Sequence, residues 1–168
     1  MTSLVTDQPV RWLTPVQEAT WRGLLRMEAQ LGAHLSRQLT NDNGLSMQDY
    51  SVLVTLDEAP DGRLRLYELG QELGWEKSRV SHHTARMQTR GLVERRPCPS
   101  DKRGLFVAIT GAGREALAAA APAHVEHVRR AFVDRLSDGQ ITALSRITEA
   151  VLAGLAASDD DHDNAGER

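Results

Sequence analysis

Apolar residues recur every three or four positions near both ends of the chain, which is the spacing of an amphipathic helix. The first stripe is made of Val16, Leu24, Met27, Leu31 and Leu35. The second is made of Ile141, Leu144, Ile147, Val151 and Leu155. The pattern predicts one long helix near each end of the chain.

Capping residues mark where several helices begin. Thr14-Pro15-Val16-Gln17 predicts a start, because Thr caps, Pro suits the first helical position and Gln closes a capping box. The polar run 41–44 ends this helix at about Leu39. Ser46-Met47-Gln48-Asp49 opens a second helix, which 59–62 ends, and its predicted inner face is Val52, Leu53 and Leu56.

Two shorter helical units follow. One carries Leu66, Leu69 and Leu73 and is closed by Gly74, and the other runs over 76–90. Val80, Met87 and Leu92 are expected to face inward. Two short helices joined by a glycine-containing turn predict a helix-turn-helix.

The period changes after Gly91. Segments 92–96 and 105–109 are rich in β-formers, and 97–104 separates them, which predicts a hairpin with a long loop. Thr110-Gly111-Ala112-Gly113 then opens an alanine-rich helix that we expect Pro122 to interrupt. Ser137-Asp138-Gly139-Gln140 is a further capping box, and the charged residues 158–168 predict a disordered acidic tail.

Composition narrows the class of protein. The 168 residues are 40% hydrophobic, which suits one globular domain or one unit that dimerises. The single cysteine, Cys98, excludes an internal disulfide framework and suits a reducing cytosol. The N-terminus has no signal-peptide pattern, and no run approaches about 18 apolar residues, so we expect a cytoplasmic protein without a membrane partner.

Positive charge is concentrated in one segment. Residues 77–103 contain eight cations and two anions, a net charge of +6, whereas the whole chain carries −3, so the rest carries −9. A basic stripe confined to a helix-turn-helix and a hairpin is typical of duplex DNA binding. The alternative is a solvated charged face, with 100–109 as an ordinary turn before a buried strand.

The DNA hypothesis assigns roles to individual residues. The candidate contacts are Lys77, Ser78, Arg79, Ser81, His82, His83, Arg86, Lys102 and Arg103. Those in the second short helix are expected to meet base edges and phosphates in the major groove. In the hairpin, Lys102 would meet backbone phosphate, Arg103 the adjacent minor groove, and Asp101 would orient Arg103.

The stretch R-M-Q-T-R-G-L-V-E-R-R-P-C-P-S-D-K-R-G-L-F-V-A-I-T resembles the MarR family of winged-helix transcriptional regulators. The positions that match the family's motif are Arg86, Gly91, Leu92, Val93, Arg95, Asp101, Arg103 and Thr110. The stretch P-D-G-R-L-R-L-Y-E-L-G-Q-E-L-G-W resembles the family's short strand and first helix of the helix-turn-helix, and S-D-G-Q-I-T-A-L resembles its last dimerisation helix.

The resemblance implies a mainly α (α+β) fold, a winged helix-turn-helix with long N- and C-terminal dimerisation helices and a small β-wing. The implied segments are an N-terminal arm (1–13), a dimerisation helix (14–45), a DNA-binding domain (46–109, with the recognition helix at about 77–90 and the wing at about 92–109), C-terminal dimerisation helices (110–157) and the acidic tail (158–168). It also implies a homodimer on a pseudo-palindromic double-stranded operator. Members often repress genes and release DNA when a small molecule binds between the DNA lobe and the dimer helices.

The two terminal apolar stripes predict a dimer independently of the resemblance. The long terminal helices are few, so a monomer would leave their apolar residues exposed to water. An aromatic and cationic set around the first two helices suits an anionic aromatic effector. This set is Trp12, Trp21, Arg22, Arg26, His34 and Tyr50. Alternatively, Trp12 and Trp21 pack in the dimer core.

Other chemistry has weaker support. His124 and His127 lie three apart, a spacing that suits a metal, but a site needs three or four ligands, so two surface histidines are the favoured interpretation. Cys98 is interpreted as an incidental thiol. No phosphate loop, nucleophile elbow or metalloprotease motif occurs, so we expect neither an enzyme nor a cofactor. A metal- or thiol-responsive regulator and a winged-helix module for protein contact remain alternatives.

Overall fold

The computed structural model describes the backbone of residues 10–98 and 101–165 and the side chains of 10–97 and 105–157. In those ranges the α-helices are α1 (Pro15–Asn43), α2 (Met47–Glu58), α3 (Leu66–Leu73), α4 (Lys77–Thr89), α5 (Gly111–Ala131) and α6 (Asp138–Ala165). The strands are β1 (Arg63–Arg65), β2 (Val93–Cys98) and β3 (Asp101–Ile109), and short 3₁₀ turns occupy Pro60–Gly62 and Val133–Arg135. The fold is mainly helical with one small sheet, as expected.

The predicted caps form in the structure. The Thr14 N–H donates to Gln17 Oε1 at 2.9 Å, and the Gln17 N–H donates back to Thr14 Oγ1 at 3.3 Å. Ser46 and Asp49 form the same reciprocal pair at 3.0 Å in each direction. Gly44 ends α1 in the left-handed region, with φ at 65°, where glycine pays no steric penalty.

The core lies in the middle of the chain, between α2, α3, α4 and the sheet. The predicted inner face of α2, Val52, Leu53 and Leu56, is fully buried. It packs in one cluster with Leu69, Val80, Met87, Val93 and Val107. The helix-turn-helix and the hairpin therefore share one core, which fixes α4 relative to the strands.

The sheet has the order β1-β3-β2, with both pairings antiparallel. The strands run to Cys98 and Asp101, so the predicted long loop over 97–104 is wrong. The prediction placed Pro97 in the loop, because a proline lacks the backbone N–H that donates a hydrogen bond in a β-sheet. Here β2 is an edge strand, where a missing donor is tolerated, and the register shifts between Pro97 and Cys98.

Two further expectations about helices were wrong. α5 is continuous through Pro122. A proline costs a helix one backbone hydrogen bond, and packing of α5 against α1 and α2 compensates for it. The acidic residues from 158 were expected to be disordered, yet α6 extends to Ala165, because extending a formed helix is far easier than starting one. No helix among residues 10–98 and 101–165 has the length and apolar character needed to cross a bilayer.

Gly113 lets α5 start directly against the hairpin. A Cβ at this position would overlap the Leu92 carbonyl oxygen and lie 2.9 Å from Ile109 Cγ1 and 3.2 Å from Leu53 Cδ2. Thr110 fastens the same junction. Its hydroxyl donates to the carbonyls of Gly91 and Leu92 and accepts the Gly113 N–H at 2.9 Å.

Asp49 is a buried carboxylate that joins α2 to α4. Its Oδ2 accepts from Arg90 Nη1 at 2.6 Å and from the Ser46 N–H at 3.0 Å, and its Oδ1 lies 3.1 Å from His83 Nε2. Burial by itself would raise the pKa of Asp49, but the hydrogen bonds from Ser46 and Arg90 and the charge of Arg90 outweigh burial and lower it. Burial lowers the pKa of His83, against the attraction of Asp49 and with the help of the Arg86 and Arg79 charges.

The contact at Gly113 leads to a stability prediction. Gly113→Ala forces a methyl group onto the Leu92 carbonyl and should lower the free energy of unfolding by about 1–3 kcal/mol. Gly111→Ala is the matched control, since a Cβ there meets nothing within 4 Å. Urea denaturation measures both, and equal stabilities of the two variants would contradict the packing described here.

The lowered His83 pKa leads to a pH prediction. Folding favours neutral His83, so this stabilisation is full above the ordinary imidazole pKa of 6.5 and is lost as the pH falls below it. Thermal unfolding of wild type between pH 5 and 8 should therefore lose stability in acid more steeply than His83→Gln. His124, whose pKa burial also lowers, remains in both proteins and contributes equally, so parallel profiles would contradict the prediction.

Candidate functional site

Helix α4 has one buried side and one exposed side. Val80, Thr84 and Met87 face the core and are fully buried. The polar residues that face solvent in the first three turns are Lys77, Ser78, Arg79, His82 and Arg86. Three cations and two further hydrogen-bonding side chains therefore share an exposed helix surface, which we call the α4 basic face.

Arg79 lies against an aromatic ring. Its guanidinium carbon is 4.3 Å from the centre of the Trp75 ring, a cation–π geometry. Trp75 precedes α4 and is half-buried, so the indole supports the arginine from the protein side. Trp75 was not a candidate from the sequence, because the contact depends on how the turn between α3 and α4 folds back.

His83 does not belong to the α4 basic face, contrary to expectation. Only 8% of the residue is exposed, and it lies between Asp49, Arg86 and Trp75. Its Nδ1 is 3.0 Å from Arg86 Nη2, and its ring meets Trp75 edge-on at 5.3 Å. The next residue along a helix is turned by about 100°, which is enough to leave His82 in solvent and to bury His83.

A cleft of about 310 Å³ opens between the start of α2 and α4. It is lined by Ser46, Gln48, Arg79, His82, His83 and Arg86. Apart from His83, which is engaged with Arg86 and Asp49, these groups can donate hydrogen bonds, and the two arginines carry fixed positive charge, so the cleft suits a phosphate oxygen or another anion. Ser46 and Gln48 were not candidates from sequence, since they follow α1 and lie far from the basic segment along the chain.

The hairpin continues the positive surface. Arg95 Nη2 lies 3.4 Å from the hydroxyl of Ser81, which joins β2 to α4. Arg63 and Arg65 on β1 lie over the Phe106 ring at 5.3 and 5.7 Å. The side chains of the candidate residues Asp101, Lys102 and Arg103 are outside the described part of the chain.

A larger groove of about 860 Å³ lies between α1, the end of α5 and the 3₁₀ turn that follows it. Its cationic and polar lining includes Arg26, His34, His127, Arg130 and Arg135. Its apolar lining includes Met27, Leu31, Phe132 and Leu136. A groove lined by both cationic and apolar side chains suits an anionic organic molecule.

Of the six predicted effector contacts, the structure brings Arg26 and His34 together in this groove. Trp12 precedes α1 and is 83% exposed, and Trp21 is also exposed. Arg22 pairs with Glu18 at 2.6 Å, and Tyr50 stacks against His124 with ring centres 4.5 Å apart. The resemblance to the family placed the effector pocket at the first two helices, but the wall opposite α1 comes from residues about 100 positions away.

The two candidate metal histidines face different partners. His124 packs on Tyr50, whereas His127 Nε2 lies 3.0 Å from Asp42 Oδ2. Among the described residues, no three His, Cys, Asp or Glu side chains are grouped closely enough to hold a metal ion. The Cys98 side chain lies outside the described part.

Known proteins resemble this chain over nearly its full length. A model of the MarR family matches residues 43–104. Sco3205, a MarR family transcriptional regulator from Streptomyces coelicolor solved in complex with DNA, is 42% identical, and the match covers 87% of this chain and 92% of that one with a TM-score of 0.82. AbsC, a MarR family transcriptional regulator from the same organism, is 36% identical over 88% of this chain and 99% of that one, with a TM-score of 0.81.

A shorter match is the transcriptional regulator HosA from Escherichia coli O111:H-, which is 44% identical over 61 residues. That alignment covers 36% of this chain and 44% of the relative, so it spans less than half of the relative's length. The two Streptomyces structures extend the likeness to both terminal helices. The chain belongs to the MarR family of transcriptional regulators.

Proposed function

We propose that this protein is a homodimeric regulator that binds a pseudo-palindromic DNA duplex in a sequence-specific way. The observation that carries the proposal is the α4 basic face, a rigid helix surface with three exposed cations beside a hairpin that carries more. Sco3205, which shares 42% of its aligned residues with this chain, was solved in complex with DNA. A duplex presents phosphates and base edges at the spacing of such a helix.

In this proposal α4 enters the major groove. Arg79 and Arg86 donate to guanine edges or to phosphates, Lys77 and Ser78 reach the backbone, and His82 contacts the groove wall. Ser81 lies beside them. The hairpin then lies over the adjacent minor groove, with Arg103 at its tip, Lys102 on phosphate and Asp101 orienting Arg103.

The proposed dimer uses the apolar stripes of α1 and α6. In the single chain, Ile147, Val151, Leu152 and Leu155 of α6 are all more than half exposed, as are Val16 and Trp21 of α1. Exposed apolar stripes of this kind on two long helices are costly in water and are typical of an interface between subunits. A two-fold axis through these helices would present two copies of α4 to half-sites about one helical turn, ~10 bp, apart.

The proposed effector is a small anionic, aromatic molecule that releases the protein from DNA, so that the dimer acts as a repressor. The groove between α1 and the end of α5 supports this proposal, since Arg26, Arg130 and Arg135 line it together with Phe132. A second subunit would close its open side. The metal- or thiol-responsive alternative lacks an observation of this kind.

A winged-helix module that binds only other proteins is the alternative from another class. It gives no reason for Arg79 and Arg86 to be held on one face beside a cleft of donors. Protein interfaces are enriched in aromatic anchors and depleted of charge at their centre, whereas three of the five side chains of the α4 basic face are cations.

The α4 basic face leads to a DNA-binding prediction. Arg79→Ala should weaken binding to a duplex selected by the wild-type protein from a random pool (the selected duplex) by about 1–3 kcal/mol. Arg129→Ala is the matched control, because Arg129 lies on α5, away from α4, and pairs with Asp134 of the 3₁₀ turn that follows. Fluorescence anisotropy over a salt series measures both, with scrambled duplex as reference. Equal affinities of the two variants would contradict the assignment of α4.

The apolar stripe of α6 leads to an assembly prediction. Leu152→Glu places two carboxylates in the proposed two-fold interface and should raise the dimer dissociation constant by about 100-fold or more. Ala153→Glu is the matched control, since position 153 lies on the opposite side of the helix from the stripe. Sedimentation velocity distinguishes the outcomes, and a Leu152→Glu protein that remains dimeric at micromolar concentration would exclude this interface.

A further inference from the structure

We propose that His83 is a positioning residue, which holds the guanidinium of Arg86 in place on the α4 basic face before DNA arrives. The inference rests on the proposed function, because it concerns how one of the proposed DNA contacts is prepared. It assigns a role to a buried residue that does not touch the duplex itself. His83 thereby differs from its exposed neighbour His82.

The two ring nitrogens of His83 have opposite roles: one accepts a hydrogen bond and the other carries the proton. Arg86 Nη2 lies 3.0 Å from Nδ1, and a guanidinium can only donate, so Nδ1 must be the acceptor. The proton of the neutral ring is then on Nε2, which lies 3.1 Å from Asp49 Oδ1. This tautomer gives Arg86 its acceptor and places Nε2 beside the Asp49 carboxylate, a close charge contact that lacks the geometry of a hydrogen bond.

The imidazole is itself held from several sides. Asp49 is fixed by the Ser46 N–H and by Arg90, and Trp75 packs edge-on against the ring with interplanar angle 82°. His83 therefore transmits the position of α2 to Arg86 through a chain of short contacts. An exposed arginine without such a partner would sample many rotamers.

The charges around His83 favour the accepting, neutral form. The groups that face it are Asp49 from α2 and Arg79 and Arg86 from its own helix. Burial lowers its pKa, Asp49 opposes this, and the arginines add to it. A protonated ring would lose the lone pair that Arg86 uses, so the neutral ring is the one that positions the arginine.

Positioning has a consequence for affinity that differs from that of a lost charge. A guanidinium held in its bound rotamer loses less conformational freedom on binding. Removing His83 should weaken DNA binding while Arg86 keeps its charge and can still reach phosphate. Removing Arg86 should weaken DNA binding and also remove one contact that releases a counterion from the DNA, so that the affinity depends less on salt.

A double-mutant cycle on the full-length protein and the selected duplex tests this. His83→Met, which fills similar space without a hydrogen-bonding nitrogen, should weaken binding roughly ten-fold with an unchanged salt slope. Arg86→Ala should weaken it similarly and flatten the slope by about 1. In the Arg86→Ala background, His83→Met should add less than a two-fold loss. In the protein that keeps Arg86, His83→Gln, which offers both an acceptor and a donor, should retain most of the wild-type affinity.

Lys77→Ala provides the reference cycle, because Lys77 is exposed at the start of the same helix. The losses of DNA-binding free energy caused by Lys77→Ala and His83→Met should be additive. An equally large effect of His83→Met with and without Arg86 would overturn the proposal. Wild-type protein that selects no duplex would instead refute the proposed function.

Nitrogen NMR of the wild-type protein tests the same proposal without a variant, which covers the case in which His83→Met does not fold. The expected state of His83 at neutral pH is the tautomer protonated on Nε2. A proton on Nδ1 would overturn the proposal whatever the variants do.

Discussion

The arrangement of the helix-turn-helix depends on one buried carboxylate. Asp49 closes the cap of α2 with Ser46, faces His83 and pairs with Arg90, so a single side chain joins the first turn of α2 to the middle of α4 and to the residue that caps the end of α4. A carboxylate taken out of water is unfavourable unless its oxygens are satisfied. Arg90, which bonds this carboxylate, and His83, which lies beside it, also fix the rotation of α4 about its own axis.

That rotation decides which side chains α4 presents. With Val80 and Met87 in the core, the polar residues divide into an edge that turns inward, occupied by His83, and a face that turns outward. Trp75 and His83 then contact Arg79 and Arg86 respectively. Side chains supported in this way on a helix are more precise in position than side chains on a loop.

Features governed by neighbouring residues were predictable from the sequence. The reciprocal caps at Thr14 and Ser46 follow from short-range hydrogen bonding, and the inner face of α2 follows from helical spacing. Features decided by distant residues were not. The sequence around Pro97 is typical of a loop, and only its place on an edge strand reconciles it with β2.

The candidate site shows the same division. Periodicity put positions 79, 82, 83 and 86 on neighbouring parts of one helix, but it could not tell that Asp49, 34 positions earlier than His83, would draw that residue inward. Arg90, which was not among the candidate DNA contacts, bonds both Asp49 and the Gly44 carbonyl. Charge counting located the basic segment and left open which of its cations are engaged with the protein.

Helix α5 is the physical connection between the proposed effector groove and the proposed DNA surface. Its first turn is fastened to the hairpin by Thr110 and by the close approach at Gly113, and its last turn contributes Arg130 to the groove. A helix of 21 residues spans about 30 Å, so a tilt at one of its ends also displaces the other end. A ligand shifts an equilibrium only by binding two states unequally. An effector that releases DNA, as proposed above, would therefore have to bind one orientation of α5 more tightly than another.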